Sequence, residues 1–160
     1  MNIHIDEKPD GRGFLLRAEQ LLPAPREEVF ALFSAARELQ ELTPPWLHFA
    51  VLTPEPITIA AGVEIDYRLR LRGVPLRWRS RISAWEPPLR FVDEQVRGPY
   101  RYWRHEHTFE ALPEGTLCRD LVEYAVLGGR VVHRLLVRND LLRVFAFRQQ
   151  RLAERFGLRT

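Results

Sequence analysis

The stretch that decides the fold of this chain is Tyr102–Phe109, with the sequence YWRHEHTF. Its side chains alternate with the period of two that is typical of a β-strand. One face carries Arg104, Glu106 and Thr108, and the other carries Trp103, His105, His107 and Phe109. A half-buried strand normally directs apolar side chains inward, but this one directs two imidazoles inward between aromatic rings. We therefore interpret this face as the wall of a pocket.

Composition and charge indicate one globular domain. A chain of 160 residues with 46% hydrophobic and 28% charged residues can bury a core without crosslinks. The only cysteine, Cys118, excludes an internal disulfide and fits a reducing cytoplasm. Residues 1–10 do not resemble a signal peptide, and no apolar run reaches membrane-spanning length. We therefore expect a cytoplasmic protein without a membrane span.

The order of the predicted elements runs from a strand through two short helices to a run of strands and a long helix. Phe14–Leu22 is typical of a strand. Pro25 suits the first position of a helix, and a second short helix is expected over residues 35–42. About six antiparallel strands follow from residue 47 on. Apolar side chains at helical spacing then predict one long helix over residues 131–156.

Gly73-Val74 predicts a hairpin with a two-residue loop. This register places Tyr67 opposite Ser80, and the apolar faces of the two strands coincide. The same register sets arginines against each other on the outer face, namely Arg70 opposite Arg77 and Arg68 opposite Arg79. Like charges directly opposite are unfavourable, so this face is expected to have acidic neighbours or an acidic partner.

Glu114-Gly115 predicts a second tight hairpin that contains the Tyr102–Phe109 strand. A two-residue loop there places Phe109 opposite Asp120 and His105 opposite Tyr124. These pairings bring a carboxylate and a phenol to the inward face beside the histidines.

The turn around Gly98-Pro99-Tyr100 leaves two registers open for the strand before it. A three-residue turn directs Phe91, Asp93 and Gln95 inward, and a two-residue turn directs Val92, Glu94 and Val96 inward. We favour the first register because it buries Phe91 and sets Asp93 opposite His105, although it is expected to expose Val92 and Val96.

Together these registers define a candidate ligand-binding cavity. Its predicted lining residues are Tyr67, Trp78, Ser80, Phe91, Asp93, Gln95, Trp103, His105, His107, Phe109, Asp120 and Tyr124. For any one of them alone, the simplest interpretation is a buried polar or aromatic group that is satisfied inside a core. For the whole set we favour a ligand cavity, because so many polar and aromatic side chains share one concave face.

Two chemical alternatives remain open for the same residues. His105 and His107 with Asp93 or Asp120 have a pattern that can bind a metal ion, but the His-x-His spacing alone is a weak signal, and no metal or other cofactor is expected. A histidine beside a carboxylate is also able to act as a general base, with Tyr124 as the acid. The sequence has no nucleophile elbow, phosphate-binding loop or dinucleotide fingerprint.

The chain resembles the START-like, or SRPBCC, superfamily from about Phe14 to Phe156. The segments that carry the resemblance are residues 25–30 (PREEVF), 42–46 (LTPPW), 76–79 (LRWR), 91–95 (FVDEQ), 98–100 (GPY) and 103–107 (WRHEH). The later segments are similar to a bacterial subgroup of ligand-binding SRPBCC domains. Similar domains also occur joined to NAD-dependent epimerase-like proteins, whose dinucleotide fingerprint this sequence lacks.

This resemblance implies an α+β, helix-grip (START/Bet v 1-like) fold. A seven-stranded antiparallel sheet would curve around the C-terminal helix, with two short helices after the first strand. Residues 12–157 would form the single domain, after a flexible N-terminal tail of residues 1–11. The cavity of such domains typically binds lipids, sterols or polyketides, and their catalytic residues vary.

Three functional hypotheses follow. The first is binding or carriage of a small, largely apolar or aromatic molecule such as a lipid, an isoprenoid or a polyketide. The second is a cyclase, dehydratase or isomerase that uses a cavity histidine with a carboxylate. The third is a protein- or RNA-interaction module on the arginine-rich face, although nucleic acid is not an expected partner. A homodimer remains an open alternative.

Overall fold

The computed structural model describes residues 2–158, in one sheet with helices against its inner face. The elements in chain order are β1 Asn2–Glu7, β2 Phe14–Leu22, α1 Arg26–Ser34, α2 Ala36–Glu41, a 3-10 turn Pro45–Leu47, β3 Ala50–Val51, β4 Glu64–Leu71, β5 Val74–Glu86, β6 Arg90–Arg97, β7 Tyr100–Leu112, β8 Gly115–Val126, α3 Gly129–Val132, a π-helical turn His133–Val137 and α4 Arg138–Arg155. This α+β architecture confirms the expected fold class.

The sheet has eight strands in the order β1-β2-β8-β7-β6-β5-β4-β3, whereas seven strands were predicted. The additional strand is β1, from a segment that was assigned to a flexible tail. It pairs antiparallel with β2, and Ile3 and Ile5 pack against the buried cluster around Leu16 and Val122. The prediction was wrong here because the polar character of the segment hides an apolar face of only two side chains.

The β4–β5 hairpin turns one residue earlier than the sequence indicates. Its loop is Arg72-Gly73, and both residues have positive φ, 49° and 82°, as a type I′ turn requires. Tyr67 therefore lies opposite Trp78 rather than Ser80. Because the pairing moves by two residues, the inward and outward faces stay as predicted.

The shifted register changes the charge pattern on the outer face of the sheet. Neither of the two predicted arginine pairs forms. Asp66 faces Arg79 and accepts hydrogen bonds of 2.8 Å from Nε and Nη2, while Glu64 faces Arg81. Cross-strand pairs of like charge remain at Arg68 with Arg77 and at Arg79 with Arg97 of β6. The exposed ion pairs Asp66–Arg79 and Glu64–Arg81 each contribute on the order of 0–1 kcal/mol to folding stability, so their main effect is to neutralise charge on this face.

The β7–β8 hairpin also turns one residue earlier than predicted. Leu112 pairs with Gly115, and the loop is Pro113-Glu114, with proline at the position where its fixed φ suits a tight turn. Gly115 therefore belongs to the strand. It has φ 139°, and a Cβ there would overlap the carbonyl of Leu22 on β2. The glycine is needed for this close approach of two strands.

This second correction rearranges the polar side chains. His107 lies opposite Asp120, and His105 lies opposite Val122, whereas Asp120 was predicted opposite Phe109 and Tyr124 opposite His105. The true register brings Asp120 directly beside the histidines.

The β6–β7 register is the one that the sequence favoured, with Asp93 opposite His105 and Phe91 opposite His107. Val92, which this register was expected to expose, is instead buried, and Val96 is exposed as expected. The register places carboxylates on both sides of the two histidines, from β6 and from β8.

The helices close the inner face of the sheet. Phe30 and Phe33 of α1 pack on Phe109 with ring centroids 5.4 and 5.1 Å apart. On α4, Leu141 and Phe145 belong to the buried cluster that includes β2 and β8. Side chains of α1, α2 and α4 and the inner faces of β4 to β7 line a cavity between the helices and the sheet.

Candidate functional site

A cavity of about 570 Å³ lies between α4, the α1–α2 region and strands β4 to β7. Its lining is mainly apolar and aromatic, and all four tryptophans of the chain contribute to it, namely Trp46, Trp78, Trp85 and Trp103. Pockets of this size and character suit a small organic ligand.

Most of the predicted cavity residues line this space. They are Tyr67, Trp78, Ser80, Phe91, Asp93, Trp103, His105 and His107. These residues come from β4, β5, β6 and β7, whose inward faces were predicted correctly even where the register was not.

The other predicted residues lie outside the lining. Gln95 hydrogen-bonds the backbone of Tyr100, accepting from N at 3.2 Å and donating to O at 2.8 Å. Phe109 is buried in the core beneath α1. Tyr124 is fully buried and hydrogen-bonds a helix residue, and Asp120 lies against the histidines. The β8 residues were misplaced because their predicted register was wrong by two positions.

His105 and His107 form the polar centre of the wall. Their ring centroids are 3.8 Å apart, and both side chains are buried. Asp120 Oδ1 lies 3.0 Å from His105 Nε2, in a hydrogen bond, and 2.7 Å from His107 Nδ1. This second contact is out of hydrogen-bond alignment, so Nδ1 of His107 makes an ion contact there rather than an aligned hydrogen bond.

Asp93 faces the same two rings from the other side. Its Oδ2 lies 3.8 Å from His105 Nδ1 and 3.5 Å from His107 Nε2. Ser80 Oγ donates to Asp93 Oδ1 at 3.5 Å and accepts from Trp78 Nε1 at 3.0 Å. We refer to Asp93, His105, His107 and Asp120 as the His–Asp cluster.

The carboxylates of the His–Asp cluster are held ionised. Burial raises the pKa of Asp93, but the contact with His107 and the charge near His105 outweigh burial and lower it. Burial also raises the pKa of Asp120. The nearby charge of Arg148 and the contacts with both histidines outweigh burial and hold this pKa well below its usual range. Two negative charges therefore sit beside a largely apolar cavity, Asp93 in its lining and Asp120 behind the histidines.

The two histidines differ in their affinity for a proton. Burial and the neighbouring His107 lower the pKa of His105 against the opposing pull of Asp120. Burial also lowers the pKa of His107, but the contacts of this histidine with Asp120 and Asp93 outweigh burial, so that its pKa is raised overall. A proton that enters the His–Asp cluster is therefore held by His107, where it is available for acid–base chemistry.

Arg148 is the principal functional candidate that sequence reasoning missed. It lies on α4 and lines the cavity, with its guanidinium over the ring of Phe33 at 4.8 Å. Its Nε is buried and has no hydrogen-bond partner within residues 2–158. The available signal was its place in the stripe of Leu141, Phe145 and Leu152, where a charge interrupts an otherwise apolar face.

Other lining residues come from loops and helices whose packing the sequence pattern does not reveal. They include Phe33 on α1 and Leu39 on α2, and Leu47, Phe49 and Ile59 from the following segment. The lone thiol is not part of the site, because Cys118 is buried and burial raises its pKa to about 12. An inert thiol of this kind behaves as a small apolar side chain.

A family model decides the relationship of this chain to known proteins. The model described as polyketide cyclase / dehydrase and lipid transport matches residues 22–147, which is more than half of the chain. The chain belongs to that family. This membership of the polyketide cyclase / dehydrase and lipid transport family confirms the resemblance to the SRPBCC superfamily. The family assignment supports binding of small hydrophobic molecules as a class but specifies no ligand.

Solved structures agree with the fold of this polyketide cyclase / dehydrase and lipid transport family member. A protein from Arthrobacter aurescens has a TM-score of 0.70 at 16% identity, over 94% of this chain and 91% of that chain. The major latex-like protein 151 of Panax ginseng has a TM-score of 0.66 at 12% identity, over 89% of this chain and 96% of that one.

One similar structure belongs to a longer protein. A nucleoside-diphosphate sugar epimerase from Corynebacterium glutamicum has a TM-score of 0.61 at 24% identity, over 86% of this chain but only 28% of that chain. No curated protein is significantly similar to this family member. Within residues 2–158, none of its helices is both long and apolar enough to cross a membrane.

Proposed function

We propose that this protein binds or carries a small, largely apolar or aromatic molecule, such as a lipid, an isoprenoid or a polyketide, inside the cavity. The observation that carries the proposal is an apolar cavity of about 570 Å³ with a few polar groups gathered on one wall. The apolar body of the ligand would contact Trp78, Trp103 and the lining of α4. The buried, inert Cys118 is compatible with a cytoplasmic location.

The polar end of the ligand would face the His–Asp cluster and Arg148. Ser80 can accept or donate hydrogen bonds there, the ionised Asp93 can accept them, and Arg148 offers a guanidinium whose Nε has no hydrogen-bond partner within residues 2–158. Buried donors without partners cost free energy in the empty protein, and a ligand oxygen removes that cost. Polar groups at one end and aromatic rings elsewhere therefore favour an amphipathic ligand over a pure hydrocarbon.

Tryptophan fluorescence gives a direct test, because all four tryptophans line the cavity. Fatty acids, isoprenoids and aromatic polyketides would be titrated into the protein, with the melting temperature as a second readout. Val144→Phe is expected to fill part of the cavity and to weaken binding. Val131→Phe is the matched control, because Val131 is exposed on α3 and does not line the cavity. Equal weakening in both variants, or no response of the wild type to any ligand, would contradict the proposal.

A second candidate function is catalysis of a cyclase, dehydratase or isomerase type. The observation that favours it is the buried pair of histidines between two ionised carboxylates, at the surface of a cavity. This candidate predicts that His105→Ala or His107→Ala abolishes turnover of a polyketide-like substrate while the fold persists. Turnover that survives the loss of either histidine would eliminate it.

The third candidate, an interaction module on the arginine-rich face, has less support. Ion pairs from Asp66 and Glu64 to Arg79 and Arg81 neutralise part of that face. Nucleic-acid binding through the remaining arginines would weaken steeply with added salt. Binding that does not respond to salt would argue against this role.

A further inference from the structure

The Asp93 carboxylate of the His–Asp cluster lies too far from the two histidine rings for good hydrogen bonds. Asp93 Oδ2 lies 3.8 Å from Nδ1 of His105 and 3.5 Å from Nε2 of His107. Both separations exceed the roughly 2.7–3.2 Å of a good N–H···O hydrogen bond. Two ligands that each lie about 2.0–2.2 Å from one tetrahedral zinc ion are themselves about 3.3–3.6 Å apart. The observed spacing is therefore closer to that of ligands sharing an ion.

We propose that Asp93, His105 and His107 bind a divalent transition-metal ion, with Zn²⁺ as the best match. Their ligand atoms all lie within 4.8 Å of one another. Two imidazoles and one carboxylate form a ligand set that zinc uses when it keeps an open coordination position. This inference goes beyond the proposed function, because the ion can bind whether or not an apolar ligand is present.

Asp120 supplies the support that such a site requires. Histidines that bind a metal through one ring nitrogen usually donate the other N–H to a carboxylate, which fixes the tautomer and the ring orientation. Here the remote nitrogens face Asp120 Oδ1: Nε2 of His105 makes a hydrogen bond of 3.0 Å, and Nδ1 of His107 makes an ion contact at 2.7 Å that is not aligned as a hydrogen bond. The proximal nitrogens consequently point toward Asp93. Asp120 orients the ring of His105 through a hydrogen bond and contacts the ring of His107, and Asp93 completes the ligand set.

The charge of the surroundings favours a cation. Asp93 and Asp120 bring two carboxylates to a largely buried position beside the histidines, and Arg148 on the facing helix supplies one positive charge. With neutral imidazoles, one negative charge is left uncompensated in a wall of low dielectric. A divalent ion can supply the missing positive charge, and so can a proton on one of the histidines. Metal titration of the full chain distinguishes these two cases.

The proposed ion would be accessible from the cavity. Asp93, His105 and His107 line it, whereas Asp120 does not. The open coordination positions would therefore face the ligand volume. A carboxylate, hydroxyl or enolate oxygen of a bound molecule has the chemistry to occupy such a position, which would select oxygen-bearing ligands over hydrocarbons.

Metal uptake by the full chain tests the proposal. The protein would be stripped with a chelator and titrated with Zn²⁺, and separately with Co²⁺, whose visible absorption reports nitrogen and oxygen ligation. We expect one ion per chain by elemental analysis and a melting temperature that rises with the metal concentration. Asp93→Asn and His107→Gln should abolish stoichiometric uptake. Asp120→Asn should keep it with an affinity weaker by about 10- to 100-fold.

Two variants serve as matched controls. His133→Gln removes a buried histidine outside the His–Asp cluster, and Asp140→Asn removes another carboxylate at the cavity, so both should leave metal binding unchanged. Circular dichroism verifies that each variant is folded, and the cobalt spectrum of the wild type tests ligation without any variant. The proposal would be overturned if the wild type took up no metal. It would also be overturned if Asp93→Asn and His107→Gln took up as much metal as the wild type. Ligand titrations of the chelated protein test the proposed function separately, so the two failures are distinguishable.

Discussion

The phenol hydroxyl of Tyr124 and Nε2 of His133 form a hydrogen bond of 2.8 Å. Tyr124 is on β8 and His133 begins the π-helical turn before α4, so this bond joins the sheet to the long helix. Both side chains are buried, and the ring of His133 stacks on Phe14 with a centroid distance of 3.4 Å. The phenol that was predicted to face the cavity instead anchors the helix that covers it.

Tyr124→Phe is expected to destabilise the protein by about 1–3 kcal/mol, because it leaves a buried imidazole nitrogen without its hydrogen-bond partner. Urea unfolding followed by circular dichroism would measure the change. Tyr67→Phe is the matched control, since that hydroxyl belongs to a residue of the cavity lining, and it should affect ligand binding more than stability. A stability loss in Tyr124→Phe no larger than that in Tyr67→Phe would contradict this assignment.

His133 also predicts how stability depends on pH. Burial and then the charge of Arg138 lower the pKa of His133, and Glu7 opposes them only in part. As pH falls below the ordinary histidine pKa of about 6.5, the unfolded chain takes up a proton before the folded chain does, so the free energy of unfolding decreases.

His133→Gln should therefore flatten the fall in stability between about pH 6.5 and pH 5. One proton accounts for at most about 1.4 kcal/mol per pH unit. The measurement is a series of urea unfolding curves over this range, with His4→Gln, an exposed histidine on β1, as the control. An identical pH slope in wild type and His133→Gln would show that this residue does not titrate as described.

Gly115 provides a test of the corrected β7–β8 register. A Cβ at this position would overlap the backbone of Leu22, which cannot move without disturbing β2. Gly115→Ala should cost about 3 kcal/mol or more, in the range typical of severe backbone effects. Gly62 also has positive φ, at 88°, but a Cβ there meets no atom within 4 Å, so Gly62→Ala should cost only about 1–2 kcal/mol. Similar losses in both variants would place Gly115 in the two-residue hairpin loop, as the sequence indicated, rather than in the strand.

The sequence predicted faces more reliably than registers. Alternation along β7 correctly placed His105 and His107 inside, because a period of two survives any even shift in pairing. The hairpin loops were each misplaced by one residue, since glycine was read as a central turn residue in both. In the β4–β5 loop Arg72 takes the first positive-φ position, and in the β7–β8 hairpin Gly115 is in the strand.

The part of the site that comes from α4 could not be predicted from periodicity. An arginine on a helix surface is normally solvated, and only the packing of Leu141 and Phe145 on the sheet shows that Arg148 points toward the cavity. The position of Asp120 beside both histidines likewise depends on a loop of two residues far along the strand. Long-range consequences of short turns are therefore the main limit of prediction from this sequence.

Arg148 predicts selectivity for acidic ligands over neutral ones. Its buried Nε has no hydrogen-bond partner within the described residues, and its guanidinium lies at the cavity wall. A ligand carboxylate can satisfy that donor, and a hydrogen bond to a charged group contributes about 1.5–3 kcal/mol. Arg148→Gln should therefore weaken binding of a long-chain fatty acid by about 10-fold or more, with little effect on the alcohol of equal chain length.

Arg143→Gln is the matched control for that comparison, because Arg143 is also on α4 and lines the cavity but lies over the exposed ring of Trp46 at 5.0 Å. It should leave the ratio of acid to alcohol affinity unchanged. Fluorescence titrations of both ligands into the three proteins give the ratios directly. If the ratio falls equally in both variants, the preference for acids arises from the general positive potential of α4. If it falls only in Arg148→Gln, the acidic group binds at the inner end of the cavity, beside the His–Asp cluster.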